Sequence, residues 1–237
     1  VLLHGIGGAA ELWEEVAQRL DGFRVLAWSQ PGYGASPPLP EVTFPALAAS
    51  LGRMMDEAGI ARAGLVGHSM GGMVAQEFAL AAPERARRLV LVATTSAFGG
   101  RDPAFAGRFL AARLAPLDAG AGMAACAEGL VAGLFGRAAS EEARRAALRA
   151  MSEVPEATYR AALRCLTTFD RRAELPRIAQ PALLVAGAED ETAPARTMAR
   201  MAEAMPDARL VTLPTGHMPH LEAPEALARE IGAFLRA

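Results

Sequence analysis

Residues 64–72 read Gly64-Leu65-Val66-Gly67-His68-Ser69-Met70-Gly71-Gly72, and this stretch decides the fold. The apolar run 64–66 has strand character, and residues 70–82 follow a helical pattern. Between them sits Gly-x-Ser-x-Gly, a turn that holds a serine on a sharp strand-to-helix bend. Side chains at 67 and 71 would clash with the neighbouring strand and helix, so both positions read as glycine for steric reasons. The same turn puts Ser69 at a helix N-terminus, where free N–H groups and the helix dipole favour developing negative charge. As structure alone, the segment is a glycine-rich turn. The strand before it and the helix after it favour a nucleophile.

Outward from this turn, short runs rich in Val and Leu alternate with stretches of helical period. Strands are predicted at 1–3, 24–28, 64–66, 89–93, 182–186 and 209–213, and helices at 11–20, 45–58, 70–82, 194–204 and 224–235. Several strands are apolar at nearly every position, as in a parallel sheet covered on both faces. The alternation predicts a doubly wound, mostly parallel α/β sheet. It breaks at 97–174, which is rich in Ala, Leu, Arg and Glu and shows no convincing strand; helices are predicted at 141–151 and 157–166, with others expected. This gives a core of 1–96 and 175–237 with a helical cap at 97–174. The plainer alternative is a helical subdomain with no part in the site.

A serine hydroxyl needs a base, and the base an orienting acid. Asp190, in Gly187-Ala188-Glu189-Asp190, follows the strand 182–186, and His217, in Gly216-His217-Met218-Pro219, follows the strand 209–213. Both lie past the carboxyl ends of strands, where open α/β sheets place their sites. Glu189 and Glu191 compete with Asp190; the Gly-x-x-Asp spacing and the following Pro194 favour Asp190. His68 adjoins Ser69 but is expected to point elsewhere, as a packing or supporting residue. His220 is expected to cap the next helix or contact Glu222. The loop His4-Gly5-Ile6-Gly7-Gly8 lets backbone approach a substrate closely, and lacks the Gly-x-Gly-x-x-Gly pattern of a dinucleotide site.

Composition removes other chemistries. All 24 basic residues are arginine, so a Schiff-base lysine and a P-loop lysine are excluded. No asparagine is present to serve an oxyanion site. A net charge of −2 gives no footprint for nucleic acid. The two cysteines, Cys126 and Cys165, read as reduced packing residues of a cytoplasmic protein. No apolar run is long enough to span a membrane. Nothing implies a metal or organic cofactor, and the oligomeric state is not legible. The chain opens inside a strand pattern without Met or a signal peptide, which predicts missing N-terminal residues.

The ordered set His4–Gly8, Gln30-Pro31-Gly32-Tyr33-Gly34-Ala35-Ser36, Gly67–Gly72, Gly187–Asp190 and Gly216-His217 resembles the α/β-hydrolase superfamily over essentially the whole chain outside the cap. Within it, 67–91 and 158–194 are similar to 3-oxoadipate enol-lactonases and related small-ester hydrolases. The resemblance implies Ser69 as nucleophile, His217 as general base and then acid, Asp190 as orienting carboxylate, and the N–H groups of Ile6 and Met70 as oxyanion donors. It also implies that Pro31–Ser36 is a structural turn, and that two strands usually precede the His-Gly strand; without them the strand at 24–28 becomes an edge.

Haloalkane dehalogenases and epoxide hydrolases of this fold use an aspartate where Ser69 stands, and ring-cleavage C–C hydrolases often carry Asn where His68 stands. The expected function is cleavage of a small carboxylic ester or lactone through an acyl-enzyme, enol-lactone hydrolysis included. The alternatives are a cofactor-free perhydrolase or acyltransferase on the same triad, and a non-catalytic ligand-binding protein of this fold. The cap is expected to select substrate. Phe98, Phe105, Phe109, Leu110, Leu114, Met123, Leu130, Leu134 and Phe135 supply its packing and part of the pocket, and Arg101, Arg108, Arg113 and Arg164 are candidate partners for a substrate carboxylate.

Overall fold

The computed structural model describes residues 1–99, 102 and 104–237. Strands β1 (Leu2–Leu3), β2 (Ala27–Trp28), β3 (Ala63–His68), β4 (Ala86–Val92), β5 (Ala182–Gly187) and β6 (Ala208–Leu213) form one sheet in the order β2-β1-β3-β4-β5-β6. Every neighbouring pair is parallel, as predicted. Among the described residues the α-helices are α1 (Glu14–Ala17), α2 (Phe44–Glu57), α3 (Met70–Ala81), α4 (Phe105–Asp118), α5 (Gly122–Val131), α6 (Glu141–Ser152), α7 (Glu156–Leu166), α8 (Ala195–Ala204), α9 (Pro219–Glu222) and α10 (Pro224–Arg236).

The strands are apolar throughout because both faces are covered. Leu65, Leu89, Leu91 and Leu184 point to one side, where they meet Leu47, Leu51 and Met55 of α2, Val74 and Phe78 of α3, and Met198 and Met201 of α8. Their neighbours Val66, Val90, Val92, Leu183 and Val185 point to the other, against Trp13, Val16 and Leu20 and against Leu227, Ile231 and Phe234 of α10. A continuous helix over 11–20 does not form. A 3-10 turn at Ala10–Trp13 leads into the single turn of α1, whose exit closes with Arg19 N–H to Val16 O and Leu20 N–H to Ala17 O, both 3.1 Å. β2 is shorter than the predicted 24–28 and lies at the sheet edge, paired on one side only.

Between β4 and β5 the chain departs from the sheet and returns to the same place. Phe98 N–H donates to Phe169 O (2.8 Å) and Arg171 N–H to Ser96 O (2.7 Å), flanking an isolated antiparallel bridge between Ala97 and Asp170. The helices α4–α7 lie within this excursion. They pack through Leu117, Met123, Cys126, Val131, Met151, Val154, Tyr159 and Leu163 onto Leu12, Tyr33 and Met218 of the rest of the chain. Of the apolar residues predicted for this region, Phe98, Phe105 and Phe109 form an aromatic cluster, with Phe105 exposed. Cys126 and Cys165 are both buried and free. Among the described residues no helix is long and apolar enough to cross a membrane.

Candidate active site

β3 ends at His68 and α3 begins at Met70, leaving Ser69 alone at the bend with φ 51° and ψ −119°. A non-glycine residue there costs about 1–3 kcal/mol and persists only where the surroundings fix it. Here Ser69 N–H donates to Val92 O at 2.9 Å, and Thr94 Oγ1 donates to Ser69 O at 2.7 Å. A Cβ on Gly67 would lie 2.4 Å from Gly71 O at the start of α3, and one on Gly71 would lie 2.4 Å from Leu3 O of β1. Glycine is required at both, because strand, helix and neighbouring strand meet there without room for a methyl group.

The structure brings Ser69, His217 and Asp190 together. His217 Nε2 lies 3.1 Å from Ser69 Oγ, and His217 Nδ1 lies 2.8 Å from Asp190 Oδ2. The second carboxylate oxygen accepts N–H bonds from Thr192 (2.8 Å) and Ala193 (2.9 Å). The Asp190 side chain is fully buried. Burial raises its pKa, but the His217 bond and charge and the two N–H donors outweigh that, so the carboxyl is held below its ordinary value. An ionised Asp190 accepts Nδ1–H, which leaves Nε2 free to accept the Ser69 hydroxyl.

The flanking carboxylates are elsewhere. Glu189 Oε2 accepts from Arg137 Nε at 3.0 Å, and Glu191 is exposed. The N–H groups of Ile6 and Met70 have no acceptor among the described residues. The loop bearing Ile6 is pinned by Tyr33, whose hydroxyl donates to Ile6 O at 2.7 Å, and by Gly8 N–H to Gly5 O at 3.0 Å. Pro31–Ser36 is the expected turn: Gly32 and Gly34 have positive φ, and Ser36 N–H donates to Tyr33 O at 3.0 Å. Met151 of α6 covers the same loop; a Cβ on Gly7 would meet its sulfur at 3.1 Å.

Among the described residues His68 makes no bond to the serine hydroxyl, and its ring has a defined partner: Nε2 lies 2.7 Å from His217 O. Burial, and then the neighbouring His220 and His217, push its pKa well down, so it is neutral and donates this bond. The expectation for His220 is corrected. It caps no helix and makes no bond to Glu222; its ring stacks on Trp13 at 4.8 Å, 4.5 Å from His68, and its Nδ1 has no partner among the described residues. Glu222 instead accepts backbone N–H groups from Gly136, Gly216 and Met218. Of the arginines considered for an anion, Arg108 pairs with Asp102, Arg113 lies over the Phe109 ring, Arg164 is exposed, and Arg101 is outside the described residues.

Sequence reasoning did not find Tyr33, Thr94, Met151 or Glu222 as contributors. Tyr33 and Thr94 bond backbone of segments far away in the chain, and Met151 packs on a distant loop, so no local pattern marks them. Only Glu222, a carboxylate five residues past His217, offered a hint.

A strained serine at a strand–helix bend, joined through histidine to a buried aspartate on a doubly wound sheet, defines a class, and comparison with known proteins gives the same one. Residues 1–224 match the family described as alpha/beta hydrolase fold, and the chain belongs to it; it is a hydrolase of that fold. The chain is 31% identical to "Putative carbamate hydrolase RutD" of Pseudomonas savastanoi pv. phaseolicola, over 100% of this chain and 93% of that protein. It is also 31% identical to a pimeloyl-(acyl-carrier protein) methyl ester esterase of Nitrosomonas europaea, over 95% and 90%. The solved enol-lactonase of Burkholderia xenovorans LB400 superposes with a TM-score of 0.89 at 24% identity, covering 100% of this chain and 90% of that one, and so shares its fold.

Proposed function

We propose that the protein is a serine hydrolase that cleaves a small carboxylic ester or lactone through an acyl-enzyme on Ser69. The observation that carries this reading is the unbroken chain from Ser69 Oγ to His217 Nε2 (3.1 Å) and from His217 Nδ1 to Asp190 Oδ2 (2.8 Å). Ser69 Oγ passes its proton to His217 and attacks the carbonyl carbon. The oxyanion is received by the N–H groups of Ile6 and Met70, which have no acceptor among the described residues; the helix N-terminus behind Met70 adds to the field. His217 returns the proton to the departing alkoxide, which in a lactone stays tethered to the acyl group. Water, deprotonated by His217, then releases the acid. Asp190 remains ionised and stabilises the imidazolium formed in each half-reaction.

Residues 97–174 act as the cap in this reading. Met151, packed on the loop that bears Ile6, gives the substrate an apolar neighbour in this reading. The named activities of the relatives, ester cleavage and carbamate cleavage, both fit acyl transfer to a serine. The test is a panel of p-nitrophenyl esters, enol-lactones, thioesters and carbamates with Ser69→Ala as control. Turnover of short esters or lactones that vanishes in the variant supports the proposal. Preference for carbamate over every ester and lactone moves the substrate class. Product flowing mainly to peroxide or alcohol acceptors assigns the perhydrolase or acyltransferase alternative. A folded protein that forms no acyl-enzyme with any substrate assigns the ligand-binding one.

A further inference from the structure

His217 sits on the loop between β6 and α9, and that loop is held by its main chain rather than by packing alone. His217 N–H donates to Leu134 O at 2.7 Å, and His217 O accepts from His68 Nε2 at 2.7 Å. The two residues on either side of it share one acceptor. Gly216 N–H reaches Glu222 Oε2 at 3.0 Å and Met218 N–H reaches Glu222 Oε1 at 3.2 Å. Oε2 also takes the N–H of Gly136, at 2.8 Å, from the segment between α5 and α6. The fit at this junction is close: a Cβ on Gly216 would lie 2.4 Å from Gly136 N, and one on Gly136 would lie 3.0 Å from Glu222 Oε2.

A carboxylate capping α9 needs only the bond to Met218. Gly216 and Gly136 lie outside that helix, and both of their N–H groups donate to Glu222 Oε2. We propose that Glu222 is a positioning residue for the reaction. Its carboxylate fixes the backbone frame of His217, so that Nε2 stays within reach of Ser69, and it locks that frame to residues 134–136. Neutral N–H donors bonded to an ionised acceptor make stronger bonds than amide pairs, which suits a loop that must keep its geometry while His217 gains and loses a proton. The proposal rests on the serine hydrolase reading for its kinetic consequence. The contacts themselves do not.

The test compares wild type with Glu222→Gln, in which one carboxylate oxygen becomes an NH2 group that cannot accept. Three readouts are used: ester turnover, the rate at which a fluorophosphonate labels Ser69, and the downfield proton resonance of His217 Nδ1–H. Displacement of the base is expected to lower kcat by about ten- to hundredfold with KM within about twofold. Labelling should slow by the same factor, and the Nδ1–H resonance should shift or broaden. A merely structural role moves the melting temperature but leaves labelling of the folded fraction and the resonance unchanged, and that result overturns the proposal. If the variant does not fold, amide exchange of the wild type decides. Slow exchange at Gly136, Gly216 and Met218 supports the clamp, and exchange of Gly216 and Met218 at the rate of free loop amides overturns it. A wild type that labels nowhere overturns the hydrolase reading and this kinetic role with it, an outcome distinct from a wild type and variant that label equally.

Discussion

At Ser69 the backbone adopts φ 51°, a value shared among the described non-glycine residues only by Ala93 (φ 45°). The two are coupled, because Ala93 precedes Thr94, whose hydroxyl holds the Ser69 carbonyl. Strain at Ser69 is thus supported from the segment just past β4. The neighbouring question is which carboxylate serves His217. Asp190→Asn is expected to lower kcat by about 10⁴-fold, because an amide fixes the wrong imidazole tautomer. Glu189→Gln, which loosens only an exposed contact to Arg137, is expected to stay within about threefold. Steady-state kinetics on a p-nitrophenyl ester checks both, and the reverse ranking moves the acid to Glu189. Ser69, Asp190 and His217 were legible because each lies just past a strongly apolar run whose end the sequence marks with glycine. Tyr33 and Thr94 were not, since their bonds go to backbone atoms of segments far away in the chain.

The β3–α3 unit depends on two glycines at contact distance from backbone. Gly71→Ala puts a methyl group 2.4 Å from Leu3 O, and backbone cannot yield as a flexible side chain does. The expected loss is about 3 kcal/mol or more, read by urea denaturation, with kcat falling in whatever remains folded. A variant as stable as wild type contradicts the packing described for this bend. Helices α2, α6, α8 and α10 were found within a residue or two because their apolar positions recur on one face against a polar remainder. α4 and α5 were not delimited. α4 is interrupted by Pro116 near its end, and α5 is Ala- and Gly-rich with no polar face to set a period. The helix predicted at 11–20 was over-extended: its first turn is 3-10 (Ala10–Trp13) and α1 stops at Ala17.

Across the whole molecule, all four histidines are buried, and burial keeps His4, His68 and His220 neutral. Burial lowers the pKa of His4 to about 4 and of His220 to about 3, and holds His68 well below its ordinary value. Unfolded, each titrates near 6.5. Between 6.5 and the folded value the unfolded chain therefore binds more protons, and stability falls as pH falls. Above 6.5 these groups contribute no slope. Unfolding free energy is expected to drop between pH 6.5 and 4.5 by up to about 1.4 kcal/mol per pH unit for each histidine. Asp190 acts in the same direction at lower pH, where its carboxylate must be protonated. Urea titrations at pH 7.5, 6 and 5 check this; a flat profile contradicts the buried, neutral histidines. The parallel sheet was legible from continuous apolar runs, whereas β2 was over-extended because an edge strand has one partner and stops pairing early. The account as a whole turns on acyl transfer to one hydroxyl, and the most direct measurement is a pre-steady-state burst with a short-chain p-nitrophenyl ester followed by mass analysis of the quenched protein. It predicts up to one equivalent of p-nitrophenol per chain and an acyl mass on the peptide bearing Ser69, both absent from Ser69→Ala; release without such an adduct, or an equal burst from the variant, would contradict it.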